Sequence, residues 1–150
     1  MREITGDLFD HPSDAIVIPV NWRTNRQGHA IMGAGVAKQA AKRWPWLPRS
    51  LGQFIDQTPD APRIICLQTA MHGYLLSFPT KRDWRDSSDV DLIGQGALTL
   101  VDAANSYGWQ TITLPRLGCG LGGLSWEVQV RPLLAELLDD RFVVVHPEGR

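Results

Sequence analysis

Five short apolar runs, rich in β-branched residues and bounded by polar or turn-forming positions, recur along the 150-residue chain. They are Ala15-Ile16-Val17-Ile18-Pro19-Val20, Arg63-Ile64-Ile65-Cys66-Leu67, Tyr74-Leu75-Leu76-Ser77-Phe78, Thr111-Ile112-Thr113-Leu114 and Phe142-Val143-Val144-Val145. Several are apolar at consecutive positions, the mark of strands buried on both faces. Between them the spacing turns helical. Residues 35–44 place small apolar residues on one face and cations towards the C-terminal end, and stop at Trp44-Pro45, because a residue before proline avoids the helical region. Ser88 is expected to cap a second helix through Tyr107, with Leu92, Ala97, Leu98, Val101 and Ala104 inward and Gly108 as its stop. Ser125 is expected to cap a third, with Val130, Leu133, Leu134, Leu137 and Leu138 inward and Pro132 bending it or delaying its start. Alternating strands and helices predict a three-layer α/β/α sandwich around a mixed, largely parallel sheet. No repeat, low-complexity tract or linker divides the chain, so residues 1–150 are expected to form one domain.

Composition narrows the class. Hydrophobic residues make up 43% and charged residues 21%, values of a globular chain rather than a disordered one. Cys66 and Cys119 are the only cysteines, with no CxxC, which argues against a disulfide scaffold or a cysteine zinc site. His11, His29, His72 and His146 lack metal-binding spacing, so no metal is expected. No apolar run approaches the ~20 residues of a membrane span. The acidic N-terminal stretch (Glu3, Asp7, Asp10, Asp14) does not suit a secretory leader, so a soluble, cytoplasmic monomer is expected. The net charge of −1 hides a segregation. Residues 15–55 contain no carboxylate but hold Arg23, Arg26, Lys38, Lys42, Arg43 and Arg49, which makes that window +6 and the remainder −7. Such a window is either a solvated basic face or an attractor of phosphates.

Two glycine loops carry the candidate chemistry. The first runs from Asn21, after the first buried strand, to Gly33-Ala34-Gly35 at a helix start, where bare N–H groups and the helix dipole favour a phosphate. It lacks the third glycine of a dinucleotide fingerprint and the ending of a P-loop, and by itself is equally a structural turn. The second, Gly118-Cys119-Gly120-Leu121-Gly122-Gly123, crowds four glycines into six residues after a buried strand. That exceeds what a turn requires and favours close backbone approach to a ligand. Both loops leave the carboxyl ends of strands, where open α/β sheets bind ligands. Cys119 reads as a small packed thiol rather than a nucleophile, since no histidine is fixed beside it. The six tryptophans are mostly core by expectation, with Trp22 and Trp84 near the loops and able to stack on a base.

At this point the chain resembles the macrodomain family. The resemblance rests on Gly6-Asp7-Leu8-Phe9, Pro19-Val20-Asn21, Gly33-Ala34-Gly35-Val36-Ala37, the second glycine loop and the terminal Val145-His146-Pro147, in that order along almost the whole chain. Within the family, Pro79-Thr80-Lys81-Arg82-x-Trp84-Arg85 and Gly118-Cys119-Gly120-Leu121-Gly122-Gly123-Leu124-x-Trp126 are most similar to the branch of DNA ADP-ribosyl glycohydrolase antitoxins and terminal ADP-ribose glycohydrolases.

The resemblance implies a macrodomain that binds ADP-ribose and removes it from a macromolecule, with no metal or organic cofactor. It assigns Asp7 to the adenine amino group, with Leu8 beside it, and Asn21 to the distal ribose. Met32, Gly33, Ala34, Gly35 and Val36, with Gly118, Cys119, Gly120, Leu121 and Gly122, would clasp the pyrophosphate and distal ribose. His146 or Pro147 would pack near the adenine. Lys81 is the catalytic candidate, as nucleophile or stabiliser of the opened sugar. Arg82 and Arg85 favour its neutral form while Asp83 and Asp86 oppose them. The glutamate-directed relatives carry an aspartate in the second glycine loop, where this chain has Gly122-Gly123, and this favours a modified nucleic-acid base as substrate. Single-stranded DNA would then lie along the basic residues 23–49. The alternatives are a reader that binds ADP-ribose without turnover, or a phosphatase acting on ADP-ribose 1″-phosphate.

Overall fold

A computed structural model describes residues 1–69 and 73–148; His72 lies outside the described residues. Among the described residues six strands form one sheet: β1 (Arg2–Thr5), β2 (Ala15–Asn21), β3 (Ile65–Thr69), β4 (Gly73–Lys81), β5 (Ile112–Leu114) and β6 (Phe142–His146). Their order is β1-β6-β5-β2-β4-β3, with every pairing parallel except β3 on β4. Helices α1 (Gly35–Arg43) and α2 (Leu47–Gln57) pack with Ile16, Ile18, Val20, Leu75, Val143 and Val145 on one face. Helices α3 (Val90–Tyr107) and α4 (Arg131–Leu137) pack with Ala15, Val17, Leu76, Phe78, Leu114 and Val144 on the other. Alternate residues of β2 therefore feed two separate cores, which is why its sequence is apolar without a break. The expected three-layer sandwich with a mixed, largely parallel sheet is the observed fold.

Several local expectations shift. Two elements had no expectation: β1, whose four residues are all exposed on the sheet edge, and α2, which carries Pro48 in its first turn and buries Leu47, Leu51 and Ile55. The cap of α3 is Asp89, whose carboxylate accepts from the N–H groups of Asp91 and Leu92; Ser88 stands one residue outside the helix. On α3, Leu98 is 55% exposed, and Ile93 and Leu100 are buried instead. The rest follows expectation: Gly108 ends α3 in a left-handed conformation, and the Ser125 hydroxyl accepts from the Val128 N–H. One widened turn, Trp126–Val130, precedes α4, with Pro132 in the first turn of the helix proper.

The chain leaves β2 towards β4 through α1 and α2 on one face, and leaves β5 towards β6 through α4 on the other. The sheet order thus reverses between β2 and β5, the place where open α/β sheets form a ligand crevice. β5 pairs with β2 only at Ile112 and Thr113, while β2 runs on to Asn21 and β6 to His146. Both glycine loops enter at that end.

Candidate functional site

At the carboxyl edge of the sheet, β2 and β4 end side by side. Val20 is in register with Pro79 and Asn21 with Lys81, so Thr80 is an extra residue bulged out of the ladder. Lys81 is half-buried and, among the described residues, its side-chain amine takes part in no hydrogen bond or ion pair. The cations near it are engaged elsewhere. Arg82 pairs with Asp89 at 3.0 Å, and Arg85 and Arg23 both bind Asp83. The Asp83 carboxylate accepts from the Arg85 side chain (2.9 Å, twice), the Arg85 N–H (3.0 Å) and the Arg23 Nε (2.8 Å). These bonds hold its pKa far below the ordinary carboxylate range.

Asn21 is buried and shapes the first loop. Its Nδ2 donates to the Ile31 carbonyl at 2.9 Å and its Oδ1 accepts from the Arg23 N–H at 3.1 Å, tying both arms of the excursion. Beyond it, Met32 is 8% exposed, so its side chain belongs to the core. Gly33 and Ala34 are exposed, and Gly35 opens α1 at φ +58°, a conformation that favours glycine. No side chain caps α1 and no carboxylate lies in its first turn, so its leading N–H groups face outward with the helix dipole behind them. Of the basic segment, Arg43 pairs with Asp10 and covers the Phe9 ring, while Lys38 and Lys42 are exposed on α1.

The second loop is more structural than its glycine count implies. Gly118 (φ +76°) is hemmed in by Ile93, Leu124 and Ser88, each within about 3 Å of where a Cβ would sit. A Cβ on Gly122 would overlap the Ser88 hydroxyl and lie 2.5 Å from the Gly118 carbonyl oxygen. Gly123 adopts φ +79°. Gly120 alone is neither left-handed nor crowded, and it is exposed. Backbone bonds Ser88 N–H to Gly122 O (2.9 Å) and Asp89 N–H to Thr80 O (2.7 Å) draw this loop and the end of β4 onto the same short segment. Ser88, expected as a cap, is thus a buried loop support, and its Oγ has no hydrogen-bond partner among the described residues. Cys119 donates to the Leu117 carbonyl, and burial pushes its thiol up to about 11 against a smaller pull from Arg116. Leu121 is 80% exposed.

Gly6, the residue before Asp7, meets His146 at the far end of the same edge. Gly6 N–H donates to the His146 carbonyl at 2.9 Å, and Thr5 is in register with His146. One oxygen of the exposed Asp7 carboxylate accepts from the Phe9 N–H, and Leu8 is buried behind it. Trp22 cannot stack on a ligand: it is 2% exposed and its indole N–H donates to the Thr58 carbonyl. Trp84 is 55% exposed. A cavity of about 650 Å³ opens at the opposite edge of the sheet beside Asp14, Gly73 and Gly108, away from Lys81, Asn21 and both glycine loops, with Phe9 and Arg43 in its lining. Among the described residues no group of three His, Cys, Asp or Glu side chains could hold a metal ion, and no helix is long and apolar enough to cross a membrane.

No protein-family model matches the chain. It is similar to the DNA ADP-ribosyl glycohydrolase of Thermus aquaticus, 29% identical over 143 residues that cover 93% of this chain and 38% of the relative. A DNA ADP-ribosyl transferase–DNA ADP-ribosyl glycohydrolase fusion protein of Thermosipho africanus is 40% identical over 158 residues, covering 90% of this chain and 38% of that protein. The chain thus spans about two fifths of the curated relatives it matches. Among solved structures it superposes on the macrodomain of Mycobacterium tuberculosis DarG with a TM-score of 0.83 and 27% identity, covering 99% of this chain and 97% of the other.

Proposed function

We infer, from the macrodomain fold of this chain, that it is an ADP-ribosyl glycohydrolase which releases ADP-ribose from a modified nucleic-acid base. The observation that supports this most is the pairing of Lys81 with Asn21 at the mouth of the crevice, one strand from the second glycine loop. A single domain over residues 1–150 carries the site, and we propose that it acts as a monomer in the cytoplasm. ADP-ribose lies along the carboxyl edge. Its adenine is held by Asp7, Leu8 and His146, and its pyrophosphate by the N–H groups of residues 32–36 and 118–122. Asn21 keeps the first loop in place beside the distal ribose.

Cleavage of the glycosidic bond builds positive charge on the anomeric carbon as the base departs. The Lys81 amine then either attacks that carbon or holds the opened sugar until water completes the exchange. Cys119 is unsuited to nucleophilic attack, because a thiol raised to about 11 is almost wholly protonated at neutral pH. Glutamate esters are poorer substrates, since glycine stands where a second carboxylate would assist. Single-stranded DNA is the macromolecular partner, with exposed Lys38 and Lys42 offering phosphate contacts.

The test is release of ADP-ribose from single-stranded DNA bearing the modified base. Lys81→Ala should abolish turnover and leave ADP-ribose affinity within a few-fold, because a group acting in the transition state adds little to ground-state binding. Lys81→Arg should not rescue, as guanidinium keeps its proton. Equal turnover by wild type and Lys81→Ala refutes the mechanism. Tight binding without turnover of any linkage assigns the domain to recognition alone.

A further inference from the structure

Trp84 stands three residues beyond Lys81 on the turn that leaves β4, and over half of its surface is exposed. The turn is closed by the Asp86 N–H to Asp83 O bond and anchored to the first loop by the Trp22 N–H to Arg82 O bond. Asp83 organises it. Its side chain is 11% exposed, while the side chains of the two arginines it binds, Arg23 and Arg85, are 58% and 66% exposed. The anion therefore points inward and both cations outward. Arg85 also lies over the Trp84 ring, 5.7 Å from its centroid, which braces the indole. Arg23 uses only Nε on Asp83, so its Nη nitrogens remain available. A lone exposed aromatic residue would mean little. Here a braced indole, flanked by outward guanidinium groups, adjoins the proposed reacting centre.

We propose that Trp84 is a stacking platform for the nucleotide next to the modified base, with Arg23 and Arg85 receiving the adjoining phosphates. This rests on the glycohydrolase reading and adds to it the means by which a strand is preferred over an isolated nucleoside. A flat π-face accepts any base, and guanidinium groups at its rim suit phosphates, which is the chemistry of single-strand recognition.

The experiment compares two substrates with the same modified base, the free ADP-ribosylated nucleoside and a five-nucleotide single strand. Trp84→Ala should lower kcat/KM on the strand by about 5- to 150-fold, the loss expected for one base–aromatic stack, and on the nucleoside by no more than about twofold. Trp84→Phe should recover most of that loss. An equal loss on both substrates, or none on the strand, overturns the proposal. Anisotropy of an unmodified labelled single strand at low salt gives a readout that needs no turnover, with circular dichroism confirming the fold. If wild type cleaves neither substrate, the glycohydrolase reading fails. In that case weaker strand binding by Trp84→Ala sustains the platform, and unchanged binding overturns it.

Discussion

Substitutions at Gly120 and Gly122, two residues apart in one loop, should fail in opposite ways. A methyl group on Gly122 meets the Ser88 hydroxyl and the Gly118 carbonyl oxygen, and the latter is backbone that cannot swing aside. Overpacking of this kind costs about 1–3 kcal/mol. At about 2–4 °C per kcal/mol for a domain of this size, Gly122→Ala should lower Tm by roughly 2–12 °C. Gly120 has open space around its Cβ position and no left-handed backbone, so Gly120→Val should shift Tm by no more than about 2 °C. If ADP-ribose is gripped through the backbone there, the new side chain occupies the ligand's place. Calorimetric titration should then show a loss of tenfold or more, about 1.4 kcal/mol or above. Thermal unfolding and titration on both variants separate the two effects. Unaltered ADP-ribose affinity in a folded Gly120→Val protein refutes backbone contact at this residue. A Gly122→Ala protein as stable as the parent refutes the assigned packing constraint.

Alkylation offers a second check. Cys119, raised to about 11 from an ordinary value of 9.0, should react about a hundredfold more slowly at pH 7.5 than an unperturbed thiol, and about tenfold faster per pH unit up to its pKa. The third concerns acid. Because the folded pKa of Asp83 is depressed, its contribution is complete above the ordinary carboxylate range and is lost only as pH falls through the folded value. The Tm gap between wild type and Asp83→Asn should therefore be constant from pH 8 to pH 5 and close only in strong acid; a gap that closes near pH 6 contradicts the assignment.

The architecture was legible because the central strands face two cores and so carry unbroken apolar runs; the edge was not. Residues 2–5 lie on the exposed sheet edge with Ile4 as their single apolar residue, so β1 is visible only through its pairing with β6. In α2, Leu47, Leu51 and Ile55 keep helical spacing, but Pro48 and Gly52 obscure it. Leu98 shows that an apolar-rich helix conceals its own phase, since leucines on both sides fit more than one rotation. Adjacent Ser88 and Asp89 are both good capping residues, and the choice falls to Asp89 because Ser88 is held under Gly122. The crowding of glycines in the second loop has a largely structural reason: Gly118, Gly122 and Gly123 answer to packing or backbone conformation, and Gly120 is the one of the four that answers to neither. The bond between Asp83 and Arg23 joins positions sixty apart, a pairing that only the fold brings about.

The bulge at Thr80 has an evolutionary consequence. Because one supernumerary residue sets Lys81 against Asn21, what is inherited at this edge is a count as much as an identity. A codon lost or gained here would move Lys81 out of register with Asn21 in a single event, with every side chain of the motif still present in the gene. Libraries built from point substitutions never sample that step. Families descended through such an event would retain the lysine in their alignments while having lost its place.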